Sequence, residues 1–141
     1  MPMVDEQGIV RESHRDILEA RGLAYIATIG PKQSPQVSPT WYLWDGEKQQ
    51  LLISLTTNRQ KYHNLKREPR LAICLMDPEN PYRYIEMRGS VESIEADENH
   101  RLINALAKKY LGKDEFPEYV QGEVRVVVRI ASERVICFEL G

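Results

Sequence analysis

Turn signals, rather than helices, separate most of the apolar runs in this chain, and that spacing limits what it can fold into. Strand-like runs span Leu23 to Ile29, Pro35 to Trp44, Gln50 to Leu55, Leu71 to Met76 and Tyr82 to Ile94. Two more, Val124 to Ile130 and Val135 to Leu140, read as a closing hairpin. Gly30-Pro31-Lys32-Gln33-Ser34 and Asp45-Gly46 are turn signals between the first three. Helical periodicity appears from about Arg59 to Arg67, ending before Pro69. It returns from Asp97 to Leu111, where Leu102, Ile103, Leu106 and Tyr110 share a face and Gly112 is the stop. A short helix at Asp16-Ile17-Leu18, with Ser13 before it and Gly22 after, precedes the first strand. A parallel sheet would need a helix between most strands, so the pattern predicts a mainly β fold, an antiparallel sheet closed into a small barrel. Pro39 argues for a sheet edge or a bulge, Gly89 for a bulge or close approach, and Lys113 to Gly122 for a polar loop or short helix.

The 141 residues suit one domain, 1–141, large enough to bury a core without staples. A formal charge of −2 gives no bulk attraction to nucleic acid or an anionic membrane. Cys74 and Cys137 fall in apolar runs and read as buried free thiols of a reducing compartment. No apolar run approaches the roughly 18 residues of a membrane span, and no signal peptide is recognisable, so a cytoplasmic location is expected.

The candidate chemistry lies in Thr56-Thr57-Asn58-Arg59-Gln60-Lys61-Tyr62-His63-Asn64-Leu65, which follows the apolar strand Leu51 to Leu55. A helix N-terminus presents free N–H groups and a partial positive charge. Arg59 and Lys61 are electrostatically unfavourable there, and a bound phosphate would account for them. Period-2 reading puts Gln36, Ser38, Thr40 and Tyr42 on one face of the second strand, and Ser54 and Thr56 on one face of the third. A three-residue hairpin loop, Asp45 to Glu47, would set Trp44 opposite Lys48, Ser38 opposite Ser54 and Gln36 opposite Thr56. That register places a polar patch beside the cationic helix start, suited to a flat heteroaromatic ligand with a phosphate. A solvent-exposed edge hairpin and a solvated helix face are the plainer alternative, and the pattern alone leaves both open.

At these residues the chain resembles the split β-barrel flavin- and deazaflavin-binding proteins of the pyridoxamine-phosphate-oxidase-like superfamily, and within it the deazaflavin (coenzyme F420)-dependent reductases. The stretches that carry the resemblance are 23–30, 34–41, 58–65, 67–72, 77–89 and 108–112, in family order and over most of the chain. The resemblance implies an antiparallel six-stranded split β-barrel, FMN-binding-like, and a homodimer with cofactor sites at the subunit interface. It implies that Arg59 and Lys61 bind the cofactor phosphate and that Asn64 supports their loop. Ser54, Leu55 and Thr56 would line the ring, joined by Gln36, Ser38, Pro39 and Thr40 from the neighbouring strand. Tyr82 and Tyr84 match positions that reach the site from the partner. The spacing Arg59-Gln60-Lys61, where the FMN-using branch often has adjacent Arg-Lys, favours F420 and leaves FMN as the alternative.

No catalytic triad or metal cluster is legible. His14, His63 and His100 read as surface residues, and Arg125 and Arg129 as an exposed pair on one strand face with a cofactor tail as the lesser possibility. Trp41 reads as core and Trp44 as a candidate interface residue. Hydride transfer is the cofactor's chemistry, so no side chain is singled out as catalytic. The expectation is an F420-dependent oxidoreductase acting on a small organic acceptor. An FMN-dependent oxidoreductase and a non-catalytic flavin- or F420-binding protein are the alternatives.

Overall fold

The computed structural model describes residues 2–140. Its strands are β1 (Met3–Asp5), β2 (Ala24–Ile29), β3 (Pro35–Thr40), β4 (Leu43–Asp45), β5 (Gln50–Thr56), β6 (Arg70–Asp77), β7 (Asn80–Ala96) and β8 (Arg125–Glu139). Three helices, α1 (Arg15–Glu19), α2 (Gln60–Arg67) and α3 (Arg101–Leu111), punctuate them. Every ladder is antiparallel, in the order β3-β2-β6-β7-β8-β5-β4, with β1 added to β8. The expected fold class holds, with eight strands in place of six because β1 was not foreseen and the run 35–44 splits in two. The two ends of the order, β3 and β4, are successive pieces of that one run. The sheet therefore does not close on itself: the chain bridges its two ends at Trp41-Tyr42, and no ladder joins β3 to β4 among the described residues.

Alternation along the strands fills the barrel. Ala24 and Ile26, Leu51 and Ile53, Ile73 and Leu75, Ile85 and Met87, and Val126, Val128 and Ile130 all point inward and are buried. Tyr42, placed on the polar face by its sequence period, turns instead into this core, where its hydroxyl donates to the Ile17 carbonyl at 2.7 Å. On the outside of β5, Leu52 packs with Leu102, Ile103 and Leu106 of α3, flanked by Trp41, Tyr110 and Phe116.

The final hairpin does not form. Ala131 to Arg134 carries no Gly, Pro or Asn to take up a positive φ, and β8 runs straight through it. A bulge absorbs the break: Arg134 faces Arg88, Ser132 faces Gly89, and Glu133 is left over. Gly89 is required there, because a Cβ on it would lie 2.0 Å from the Ala131 carbonyl oxygen. His14 also departs from expectation. It is fully buried, its Nε2 bonded to the Phe138 carbonyl at 2.9 Å and its Nδ1 to Ser13 Oγ at 2.8 Å. Cys74 is half-buried, Cys137 is buried, and both are free. Among the described residues no helix is long and apolar enough to cross a membrane.

Candidate functional site

The expected hairpin register is not the one formed. Asp45 Oδ1 accepts from the Glu47 and Lys48 amides, both at 3.1 Å, and the loop takes four residues, so Trp44 faces Leu51. β3 pairs with β2 instead of β5, which puts Gln36 opposite Thr28 and Ser38 opposite Ile26. Neither Ser38–Ser54 nor Gln36–Thr56 is a ladder pair. The polar patch nevertheless arises by another route. β5 is paired on one side with β8 throughout but on the other with β4 only as far as Leu52. Among the described residues its second edge carries no strand from Ile53 to Thr56, and β3, with Pro35 and Pro39, has no strand beyond it. Two unpaired backbone edges thus border one split.

The split opens into a groove of about 330 Å³. Pro39, Thr40, Ser54 and Arg59, four of the residues singled out in the sequence, line it. Its opposite wall is apolar: Leu23, Trp41, Ile103, Leu106 and Phe116, with Glu118 at the rim. Trp41 stacks on Tyr110 with ring centres 5.0 Å apart and 4° between planes, and meets Phe116 edge-on. The α3 and loop contributions were not foreseen, because they depend on long-range packing that no local pattern encodes.

At one end of the split stands the turn into α2. Thr56 is buried and its hydroxyl donates to Asn58 Oδ1 at 2.5 Å. Arg59 is the N-cap residue, with extended backbone and no side-chain cap for the first amides of α2. Asn64, fully buried, fixes the helix: its Nδ2 donates to Thr28 Oγ1 at 3.0 Å and Gln36 Oε1 at 2.8 Å, and its Oδ1 accepts from Gln60. Gln36 and Asn64 therefore serve as braces. Arg67 adds a bond from the far end of α2 to the Ile29 carbonyl at 2.7 Å.

The charges at this corner are unbalanced. Neither Arg59 nor Lys61 has an anionic partner among the described residues. Lys61 is half-buried, and burial, aided by the Arg59 charge, pulls its ammonium from 10.5 to about 8. Arg125 is the third cation. It sits opposite Thr56 in the β5–β8 ladder, with Nη1 3.3 Å from Ser54 Oγ and its guanidinium 4.9 Å from the centre of the Phe116 ring. Its side chain is 13 % exposed, so the expected exposed pairing is replaced by a largely covered position with one long ion pair, 3.7 Å to Glu123. Arg129, on the same face, pairs with Asp45 and Glu95. Leu55 is a core residue paired with Val126 in the β5–β8 ladder, so it does not line the groove, and Ser38 is half-buried on β3. Tyr82 and Tyr84 are on β7, two strands from β5 and three from β3, and Tyr84 stacks on Phe138 at 5.0 Å. The structure does not bring them to this groove within one protomer. Among the described residues no group of three or more His, Cys, Asp or Glu is placed to share a metal ion.

Comparison with known proteins agrees with this architecture. The family model described as pyridoxamine 5'-phosphate oxidase matches residues 10–137. A solved structure named F420 reductase is 40% identical, with a TM-score of 0.74 over 87% of this chain and 97% of that one. A conserved hypothetical protein from Mycobacterium tuberculosis shares the fold at 21% identity and a TM-score of 0.70, covering 96% of this chain and 88% of its own. A candidate pyridoxamine 5'-phosphate oxidase from Listeria innocua does so at 19% identity and 0.69, covering 89% and 95%. With an open antiparallel barrel, a cation-flanked split and these matches over most of its length, the chain belongs to the pyridoxamine 5'-phosphate oxidase-like split-barrel family, on the branch that holds the F420 reductase.

Proposed function

We propose that this protein is an F420-dependent oxidoreductase that transfers a hydride between the deazaflavin and a small organic acceptor. The observation that carries the reading is the pairing of two unpartnered cations, Arg59 and Lys61, with a split bordered by two free strand edges. The residues present suit such a group. A half-buried ammonium held near 8 lacks a counter-ion, and a phosphate would supply it. The free backbone edge at Ser54 and the Thr56 amide, with the Ser54 and Thr40 side chains, would suit the polar rim of a planar ring. The bound deazaflavin would supply the hydride, and the chain would position the ring and exclude water from it with Trp41, Ile103, Leu106 and Phe116. Titration of the purified protein with F420, followed by the cofactor's fluorescence, tests this; no binding in the micromolar range would refute it. The same phosphate seat would also take FMN, and the family match supports that as a second reading, which a yellow protein with FMN bound after purification would favour. A carrier without turnover would bind either cofactor tightly and reduce no acceptor.

The reading includes a homodimer. The outer face of β2, β6, β7 and β8 carries Tyr25, Ala27, Ala72, Cys74, Tyr84, Ile136 and Phe138, all exposed or only half-buried. These apolar side chains, with the Glu86–Arg88 ion pair among them, form a mixed sheet face that would suit a second copy. Docking there is the route by which Tyr82 and Tyr84 of one subunit would reach the groove of the other. Sedimentation at twice the chain mass is the expected result.

A further inference from the structure

We propose that Arg125 supplies a positive charge beside the ring seat and so favours the reduced over the oxidised state of a bound flavin-type ring. The inference rests on the reading of the split as a ring seat. Three cations surround this corner, and their positions divide the work. Arg59 and Lys61 lie on the turn and the first turn of α2, where a phosphate would be held. Arg125 lies on β8, and its contact in the split is Ser54, one of the groove's own residues. It is poorly compensated as a purely structural ion. Its Nε is buried without a hydrogen-bond partner, its hydrogen bond to Ser54 is long, and the carboxylates that attract it are Glu123, at 3.7 Å, and Asp97, which makes no hydrogen bond to the guanidinium. A buried guanidinium retained for stability alone would be expected to have closer partners. The Phe116 ring over it limits solvent, so the charge acts through a medium that screens it weakly. A ring that accepts a hydride gains a unit of negative charge, and a fixed cation nearby lowers the free energy of that form relative to the oxidised one.

The test is the midpoint potential of F420 bound to the wild type and to Arg125→Gln, measured by reductive titration, together with the affinities for oxidised and reduced F420. The expected result for Arg125→Gln is a loss of about tenfold in the reduced-to-oxidised affinity ratio, which is about 30 mV downward for a two-electron couple. Arg125→Lys keeps the charge and should hold the ratio within about twofold of the wild type, even where the loss of the planar fork weakens both affinities. Glu123→Gln removes the opposing carboxylate and should move the potential upward. An unchanged ratio in Arg125→Gln would overturn the proposal. So would an equal loss of both forms with no change in potential, which marks a residue that only supports the fold. If the wild type binds neither F420 nor FMN, the functional reading itself fails before any variant is compared, and this inference falls with it.

Discussion

Replacing Lys61 by Met should make the unliganded protein more stable and its cofactor binding weaker. Methionine keeps most of the apolar stem and removes the charge. The drop in the Lys61 ammonium from 10.5 to about 8, at about 1.36 kcal/mol per pH unit, sets a ceiling of roughly 3 kcal/mol on what the charge costs the folded chain. The side chain is only half-buried, and screening by solvent reduces the figure to about 1–2 kcal/mol. The sign follows from proton counting. The folded lysine releases its proton near pH 8 and the unfolded one near 10.5, so between those values the unfolded state binds more protons and wild-type stability rises with pH. The stability advantage of Lys61→Met is therefore full below pH 8, shrinks through that window and is gone above it. Urea denaturation at several pH values reads this directly. The same variant should lose about 10- to 100-fold in F420 affinity, as expected for one charge-assisted hydrogen bond. It should also lose the decline in affinity that the wild type shows as pH rises through about 8. A variant less stable than wild type at pH 7, or a stability difference that ignores pH, would refute the claim that Lys61 is a strained, unpartnered cation.

Two further substitutions test the supports of the groove. Asn64→Leu removes the bonds to Thr28, Gln36 and Gln60 and leaves Thr28 buried without its partner, which should cost about 2–4 kcal/mol in urea denaturation; a loss below about 0.5 kcal/mol would show that α2 is held by other contacts. Gly89→Ala would push a methyl into the Ala131 carbonyl and should cost about 3 kcal/mol or more, or prevent soluble expression, whereas near-normal stability would mean that β8 can shift its bulge.

What could be read from the sequence was whatever is local. The apolar strands at 51–55 and 71–76, the helix after Arg59, the helix closed by Gly112 and the special position of Gly89 all follow from short-range pattern, and the structure has each of them. The clustering of Arg59 and Lys61 at the start of α2 was legible for the same reason, since strand, turn and helix start are contiguous. Pairing was less accessible. Whether the run 35–44 sits beside the first strand or the third depends on a bend at Trp41-Tyr42, and that bend depends on a core position for Tyr42 that only the assembled barrel supplies. Arg125 was underrated on similar grounds. Its alternation with Val126 and Val128 marks an outward residue, but only the β5–β8 ladder and the Phe116 loop show that its outward side is a covered site. His14 looked like a surface residue because the carbonyl that accepts its proton is 124 positions away.

The proposed ring seat and the gap in the barrel are one feature. A sheet that ends on two unpaired edges exposes donors and acceptors that invite pairing with another chain. On β3 the chain blunts the edge with Pro35 and Pro39. On β5, Ile53 to Thr56 contains no proline; Ile53 and Leu55 are packed in the core, and the ladder to β8 needs that strand's other side. The free edge there is instead flanked by α3, the Phe116 loop and cations. Those neighbours border the groove in which we propose that a flat group sits, hydrogen-bonded along its rim and negatively charged at one end. The chain gains a site by declining to add one strand, and the unpartnered cations at Arg59 and Lys61 are the electrostatic counterpart of the same omission: both kinds of group, backbone and charged, remain open to one ligand.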